Sequence, residues 1–179
     1  MPTPPRTSVA DIIAAGRDIL EADGLPGLTM QAVAARVGVR APSLYKHVKD
    51  RDSLVGLVAD DTVRDLRERL ERTDAGLAHF AHEFRAFAKE SPQAYQLIFA
   101  LGPDATRPNS EVMAQNSEPI LRAARDLVGE ENALEAARTI TAWASGFVGM
   151  ELAGAFQLGG DVDRAFDYGI EALTRGLTR

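Results

Sequence analysis

Between Thr29 and Val48 the chain gathers Arg40, Ser43, Tyr45, Lys46 and His47, with Lys49 just beyond. These side-chain types hydrogen-bond base edges in a DNA groove or grip the phosphates that flank it. Arg40 or Lys46 can donate to guanine acceptors, while Tyr45 and His47 suit contacts that position the backbone. Ala41 and Pro42 can touch a thymine methyl, and Thr29 and Lys49 can reach phosphates.

Such a set reads DNA only if it is held on one face, and the surrounding residues supply a frame for that. Thr29 can cap a first helix whose apolar positions Met30, Val33, Ala34 and Val37 recur at helical spacing. Gly38 breaks the pattern and can take the left-handed conformation that lets a second helix leave steeply, with Val39 plugging the corner. That second helix starts around Arg40 to Pro42, where proline's missing N–H costs little. Leu44 and Val48, four apart, can then face a core and leave the polar set outward. A preceding helix begins at Ser8, a plausible cap, and carries Val9, Ile12, Ile13, Ala15, Gly16, Ile19 and Leu20 as far as Asp23-Gly24. Leu25 and Leu28 close the connection to Thr29.

The run VAARVGVRAPSLYKHVKDRDSLV, Val33 to Val55, resembles the TetR family of bacterial transcription regulators. The resemblance implies a three-helix DNA-binding domain that reads the major groove with its third helix. It also implies a divergent all-helical region that dimerises and binds a small molecule. Further on, SPQAYQLIF at Ser91 to Phe99 and TAWASGFVGMELAGAF at Thr141 to Phe156 resemble a TetR-type C-terminal subgroup known by a Trp-His-Gly signature. Trp143 and Gly146 match it, and Ser145 stands where the His would be.

The net charge of −6 at first argues against nucleic acid, but its distribution does not. Residues 36 to 51 carry Arg36, Arg40, Lys46, Lys49 and Arg51 against Asp50, a local charge of +4. Residues 56 to 179 balance at −7. Phosphate attraction is local, so an acidic body with one basic face can orient itself on DNA. A short basic window can also arise by chance.

The 179 residues, 45% hydrophobic, allow one large domain or a small domain joined to a larger one. No apolar run approaches a membrane span, and MPTPPRTS lacks a secretory signal's apolar segment, so a cytoplasmic protein is expected. With no cysteine, disulfides, thiolate metal sites and cysteine nucleophiles are excluded.

We read residues 1–8 as a disordered arm, in which Arg6 either touches DNA or has no role. Residues 9–50 form the helix-turn-helix domain, and residues 51–179 a helical effector-binding and dimerisation domain. The fold class is all-α with about nine helices. A fourth helix starts near residue 51 behind Asp50 and runs to about Arg72. A fifth starts near Asp74, and a sixth runs from Ser91-Pro92 to Gly102-Pro103. A seventh spans about Ser110 to Val128, where Pro119 imposes a kink or splits it in two with Ser117 capping the second. The eighth runs from about Glu131 to Leu158, and the ninth follows Asp161.

Aromatic residues outside the DNA-reading stretch are either ordinary core or an effector pocket. The pocket candidates are Phe84, Phe87, Tyr95, Phe99, Trp143 and Phe147, with Gln115, Tyr95, Trp143 and Ser145 as polar contacts, which favours a largely apolar effector. Ala142, Gly146, Gly149 and Ala153 make a small-residue stripe that admits close helix packing, internal or between subunits. With Phe166, Ile170 and Leu173 they are the dimer-contact candidates. His79 and His82 could share a metal, but two ligands do not make a site. No Gly-rich phosphate loop, nucleophile elbow or HExxH motif points to an enzyme or a cofactor. The expectation is a DNA-binding regulator, a repressor released from a double-stranded operator by a small effector and acting as a homodimer without membrane contact. The alternative is a helical protein-interaction module that does not read DNA.

Overall fold

The computed structural model describes residues 7–71, 76–99 and 116–178. Among them, every regular element is helical: α1 (Val9–Gly27), α2 (Met30–Arg36), α3 (Ala41–Leu44), α4 (Arg51–Glu71), α5 (Gly76–Glu90), α6 (Pro92–Phe99), α7 (Glu118–Val128), a 3-10 turn (Glu130–Asn132), α8 (Ala133–Leu152) and α9 (Val162–Leu177). The packing divides the chain into two units. Residues 7–64 and 91–99 belong to the first, and residues 65–71, 76–90 and 116–178 to the second.

In the first unit, α1 starts with a reciprocal cap. The Ser8 hydroxyl accepts from the Asp11 amide, and the Asp11 carboxylate accepts from the Ser8 amide at 2.8 Å and from its hydroxyl at 2.7 Å. Those bonds hold the Asp11 carboxyl below its ordinary pKa. Ser8 is therefore structured, not part of a loose arm. At the other end the backbone leaves helical geometry at Gly24, the expected stop, before a last turn containing Pro26. The core of this unit joins Ile12, Ile19 and Leu20 of α1 to Val33, Leu44, Leu54 and Val58, and to Ala94 and Leu97 of α6.

The second unit packs α5 against α7, α8 and α9. Phe84 and Phe87 are buried on α5, Ala124 on α7, Ile140, Ala144 and Val148 on α8, and Phe166 and Ile170 on α9. Among the described residues, α7 begins behind Ser117 with Pro119 in its first turn, the split-helix alternative, although the Ser117 side chain makes no capping bond. Residues 110–115, the expected start of that helix, lie outside the described residues.

The eighth helix is shorter than its apolar pattern implied. It stops at Leu152, because Gly154 at φ 63° turns the chain and the Ala155 amide bonds back to the Met150 carbonyl at 2.9 Å. Ala153 is thus the cap rather than part of the helix, and Phe156 and Leu158 lie beyond it. Asp161 caps α9 by accepting from the Asp163 and Arg164 amides.

Candidate nucleic-acid interface

The geometry of the Thr29–Lys49 stretch follows from three local devices. The Thr29 hydroxyl accepts from the Ala32 amide at 3.1 Å, which starts α2 and leaves the hydroxyl proton free to donate outward. At the other end Gly38, at φ 72°, closes a Schellman turn. The Val39 amide bonds to the Ala34 carbonyl at 2.9 Å, and the Gly38 amide to the Ala35 carbonyl at 3.2 Å. A Cβ at residue 38 would meet nothing within 4 Å, so the glycine is needed for its backbone conformation and not for space. Third, Arg40 leads into α3 in an extended conformation, with Pro42 in the first turn.

Regular helix in α3 lasts only through Leu44, but the turn continues. The Val48 amide bonds to the Leu44 carbonyl at 3.0 Å, and the two side chains are 0% and 2% exposed. These two anchors fix which side faces out. Arg40, Pro42, Ser43, Tyr45, Lys46, His47 and Lys49 are exposed, and Ala41 is half-buried. Tyr45, at 54% exposure, is a large ring left in water, as a groove-facing or phosphate-facing aromatic must be.

Arg51 is exposed but tethered: its Nε donates to the Leu28 carbonyl at 2.9 Å and a terminal nitrogen to the Leu25 carbonyl at 2.7 Å. It ties the start of α4 to the connection between α1 and α2. Arg36 pairs loosely with Asp18 at 3.7 Å. Asp50, the acid within the window, accepts from the Ser53 amide and hydroxyl, bonds that lower its pKa and start α4. Arg40, Lys46 and Lys49 make no ion pair among the described residues, so their charge is free for an external anion.

This stretch matches known proteins. Residues 12–58 match the profile described as "Bacterial regulatory proteins, tetR family", and residues 77–173 match "Tetracyclin repressor-like, C-terminal domain". The chain belongs to the TetR family. A Mycobacterium tuberculosis HTH-type transcriptional regulator, Rv0681, is 26% identical over 98% of this chain and 84% of its own length. A Rhodococcus sp. RHA1 protein superposes with a TM-score of 0.80 at 22% identity, covering 99% of this chain and 100% of that one. A TetR variant from Acinetobacter baumannii, solved in complex with minocycline, superposes at 0.67 with 22% identity over 95% and 96%. TetR-family regulators bind DNA operators and small molecules and act as dimers.

Against this TetR frame, the effector candidates fall in separate groups. In the first unit Tyr95 packs on Phe99, with ring centroids 4.9 Å apart. In the second, Phe84 stacks on Phe80 at 6.5 Å, and Phe87 lies fully buried beneath the Arg69 guanidinium. Trp143 and Phe147 pack on each other and on Phe166 at 5.1–5.8 Å. That last group is a filled aromatic stack, so closely packed that a Cβ on Gly169 would overlap the Trp143 indole. A cavity of about 260 Å³ lies instead beside Phe80, Leu70 and Pro119, with Arg122 and Asp126 on its wall. Gln115 lies outside the described residues.

The dimer candidates divide similarly. Ala142, Gly146, Gly149 and Ala153 are exposed. Leu173 is half-buried. Phe166 and Ile170 are buried inside their own subunit, at 0% and 5%, against Ala81, Trp143 and Phe147, which leaves them no surface for a partner. Their helical spacing marked an apolar face correctly, but that face looks inward.

Two residues with defined roles carried weaker signals. Arg85 is the lone cation in the apolar pattern HFAHEFRAFA. It is buried, gripping Glu151 through two bonds of 2.7 and 2.6 Å and Asp163 at 2.6 Å, over the Phe166 ring. Glu21 bonds to α6 and had no sequence signal at all. The His79 and His82 Nε2 atoms lie 3.9 Å from a Glu83 oxygen and 3.2 Å from an Asp167 oxygen respectively, and no group of three or more metal-ligand side chains occurs among the described residues. No helix among those residues is long and apolar enough to cross a membrane.

Proposed function

We propose that the protein is a homodimeric repressor that leaves its operator when a small, largely apolar effector binds. In this reading residues 9–50 contact DNA and residues 51–179 serve effector binding and dimerisation. The observation that carries it is the outward presentation of Arg40, Ser43, Tyr45, Lys46 and His47 by a turn anchored on Leu44 and Val48. Thr29 and Lys49 flank this set as phosphate contacts, and Ala41 and Pro42 offer apolar contact to a thymine methyl.

A single face of this size binds one half-site, and pairing two copies doubles it. Half-sites about one helical turn apart follow from that geometry. The exposed small-residue face of α8, Ala142, Gly146 and Gly149, with Leu173 on α9, supports a subunit contact there. Support for an effector comes from the cavity beside Phe80, whose wall also carries Arg122 and Asp126, and from the minocycline-bound relative. The Trp-His-Gly resemblance is consistent with a divergent effector region.

A mobility-shift titration decides the central claim. A duplex from the protein's own promoter region should be retarded at nanomolar protein, and a random duplex only at 10³-fold or more higher concentration. Equal retardation of both would remove the reading and favour a helical interaction module.

A further inference from the structure

The cavity beside Phe80 has one charged wall, and a single helix supplies it. Pro119, Arg122, Ala123 and Asp126 recur at helical spacing along α7, and all four line the cavity. Ile120 and Ala124 are buried on the neighbouring side of the same helix, which faces the core. Leu70 from α4 and Phe80 from α5, both buried, add apolar lining.

Arg122 stands apart from the other arginines of this unit. Arg67, Arg69, Arg85 and Arg125 are buried or half-buried as it is, and each lies 2.5–3.4 Å from a carboxylate oxygen. Arg122 is half-buried, yet its side chain makes no ion pair or hydrogen bond among the described residues. A guanidinium carries five donors, and withdrawing them from water without a partner is unfavourable. A carboxylate satisfies them best, because it can accept two parallel bonds.

Two further features narrow the ligand. Asp126, exposed one turn beyond Arg122 on the same stripe, is also unpaired among the described residues, and it opposes a second negative charge on whatever Arg122 holds. The volume of about 260 Å³ is small. Ligand pockets usually enclose roughly 300–1,000 Å³, so the bound body is one ring or a short chain.

Resting on the effector reading above, we infer that this cavity takes a compact apolar monocarboxylic acid. Its carboxylate pairs with Arg122, and its ring or chain lies against Phe80 and Leu70. Asp126 selects against dicarboxylates and phosphate esters, and a neutral molecule leaves the guanidinium unmatched.

Calorimetric titration of the full chain without DNA tests this, with phenylacetate and 3-phenylpropanoate as probes. Both should bind with a Kd at or below about 1 mM, and their primary amides about tenfold more weakly, the worth of a hydrogen bond to a charged group. Phenyl phosphate should also bind more weakly than the acids, and Asp126→Asn should narrow that gap. Arg122→Gln should bind acid and amide alike, while Arg122→Lys should keep part of the preference. Unliganded Arg122→Gln should unfold at the wild-type temperature, since no partner within the protein is lost. Acid and amide bound alike by the wild type, an undiminished preference in Arg122→Gln, or no binding of either acid at about 10 mM would overturn the assignment. Displacement of a retarded duplex is measured separately. An acid that binds through Arg122 without releasing the duplex upholds the site and removes the repressor reading. Release by a neutral or cationic molecule, with no acid bound, does the reverse.

Discussion

Glu21 closes the amino end of α6: its carboxylate accepts from the Gln93 amide at 3.2 Å and from the Ala94 amide at 2.7 Å. Those amides have no partner within their own helix, as in any first turn, so a side chain 72 and 73 residues away in sequence does the work of a cap. Replacing it removes both acceptors at once. Glu21→Ala should lower unfolding stability by about 1–2 kcal/mol in denaturant titration, and Glu21→Gln by about half as much. Faster amide exchange at Gln93 and Ala94 in the alanine variant, with the amides at the start of α2 unchanged, would locate the loss. Unchanged exchange there would exclude the cap.

Lys46 and Arg51 separate binding charge from structural charge. Lys46→Ala should weaken duplex binding across sequences and reduce the salt dependence of log affinity by about one counterion. Arg51→Ala should leave the salt slope as it is and cost about 1 kcal/mol of stability, through the lost bonds to the Leu25 and Leu28 carbonyls. Affinity measured at four salt concentrations for both variants distinguishes them.

At Gly38 the penalty for a side chain is conformational alone. Gly38→Ala should destabilise the protein by about 1–2 kcal/mol, because L-residues resist the left-handed conformation, although the added methyl meets no atom. Gly38→Asn should cost clearly less, since asparagine tolerates that region. Equal costs for the two would mean that the turn re-forms in another geometry.

Arg85 makes the second unit acid-sensitive. Hydrogen bonds from its guanidinium hold the Glu151 and Asp163 carboxyls below their ordinary pKa values. Folded-state values lower than unfolded ones mean that this contribution is complete above the ordinary carboxylate range and fades as the pH falls through the depressed values. Thermal unfolding followed from neutral pH downward should show that acid limb, and Glu151→Gln should flatten it. Arg85→Met, which leaves Glu151 only the exposed Lys89 ammonium at 3.4 Å, should cost about 1–3 kcal/mol at neutral pH.

How much of this could be read in the chain depended on whether a residue's partner was nearby in sequence. The DNA-facing turn was legible because its determinants are local: Thr29 caps three residues on, Gly38 turns in place, and Leu44 and Val48 share a face by spacing alone. The tethering role of Arg51 was not legible because its acceptors lie 23 and 26 residues back. Phe166 and Ile170 traced an apolar face faithfully, but periodicity does not say what covers a face, and here it is Ala81, Trp143 and Phe147. The eighth helix was overextended because Phe156 and Leu158 continue its apolar composition past the residue where Gly154 turns the backbone.

The core that supports the DNA-facing turn contains Ala94 and Leu97, so the first unit is discontinuous along the chain. A chain emerging from the ribosome amino end first presents α1, α2, α3 and most of α4 well before α6 exists to cover them. Until then the face of α1 that packs against α6 is uncovered, and Glu21 has no helix end to close. The groove-reading surface is therefore completed late in translation, although its residues are made early. A truncated product ending before residue 91 would carry the reading residues without the finished support.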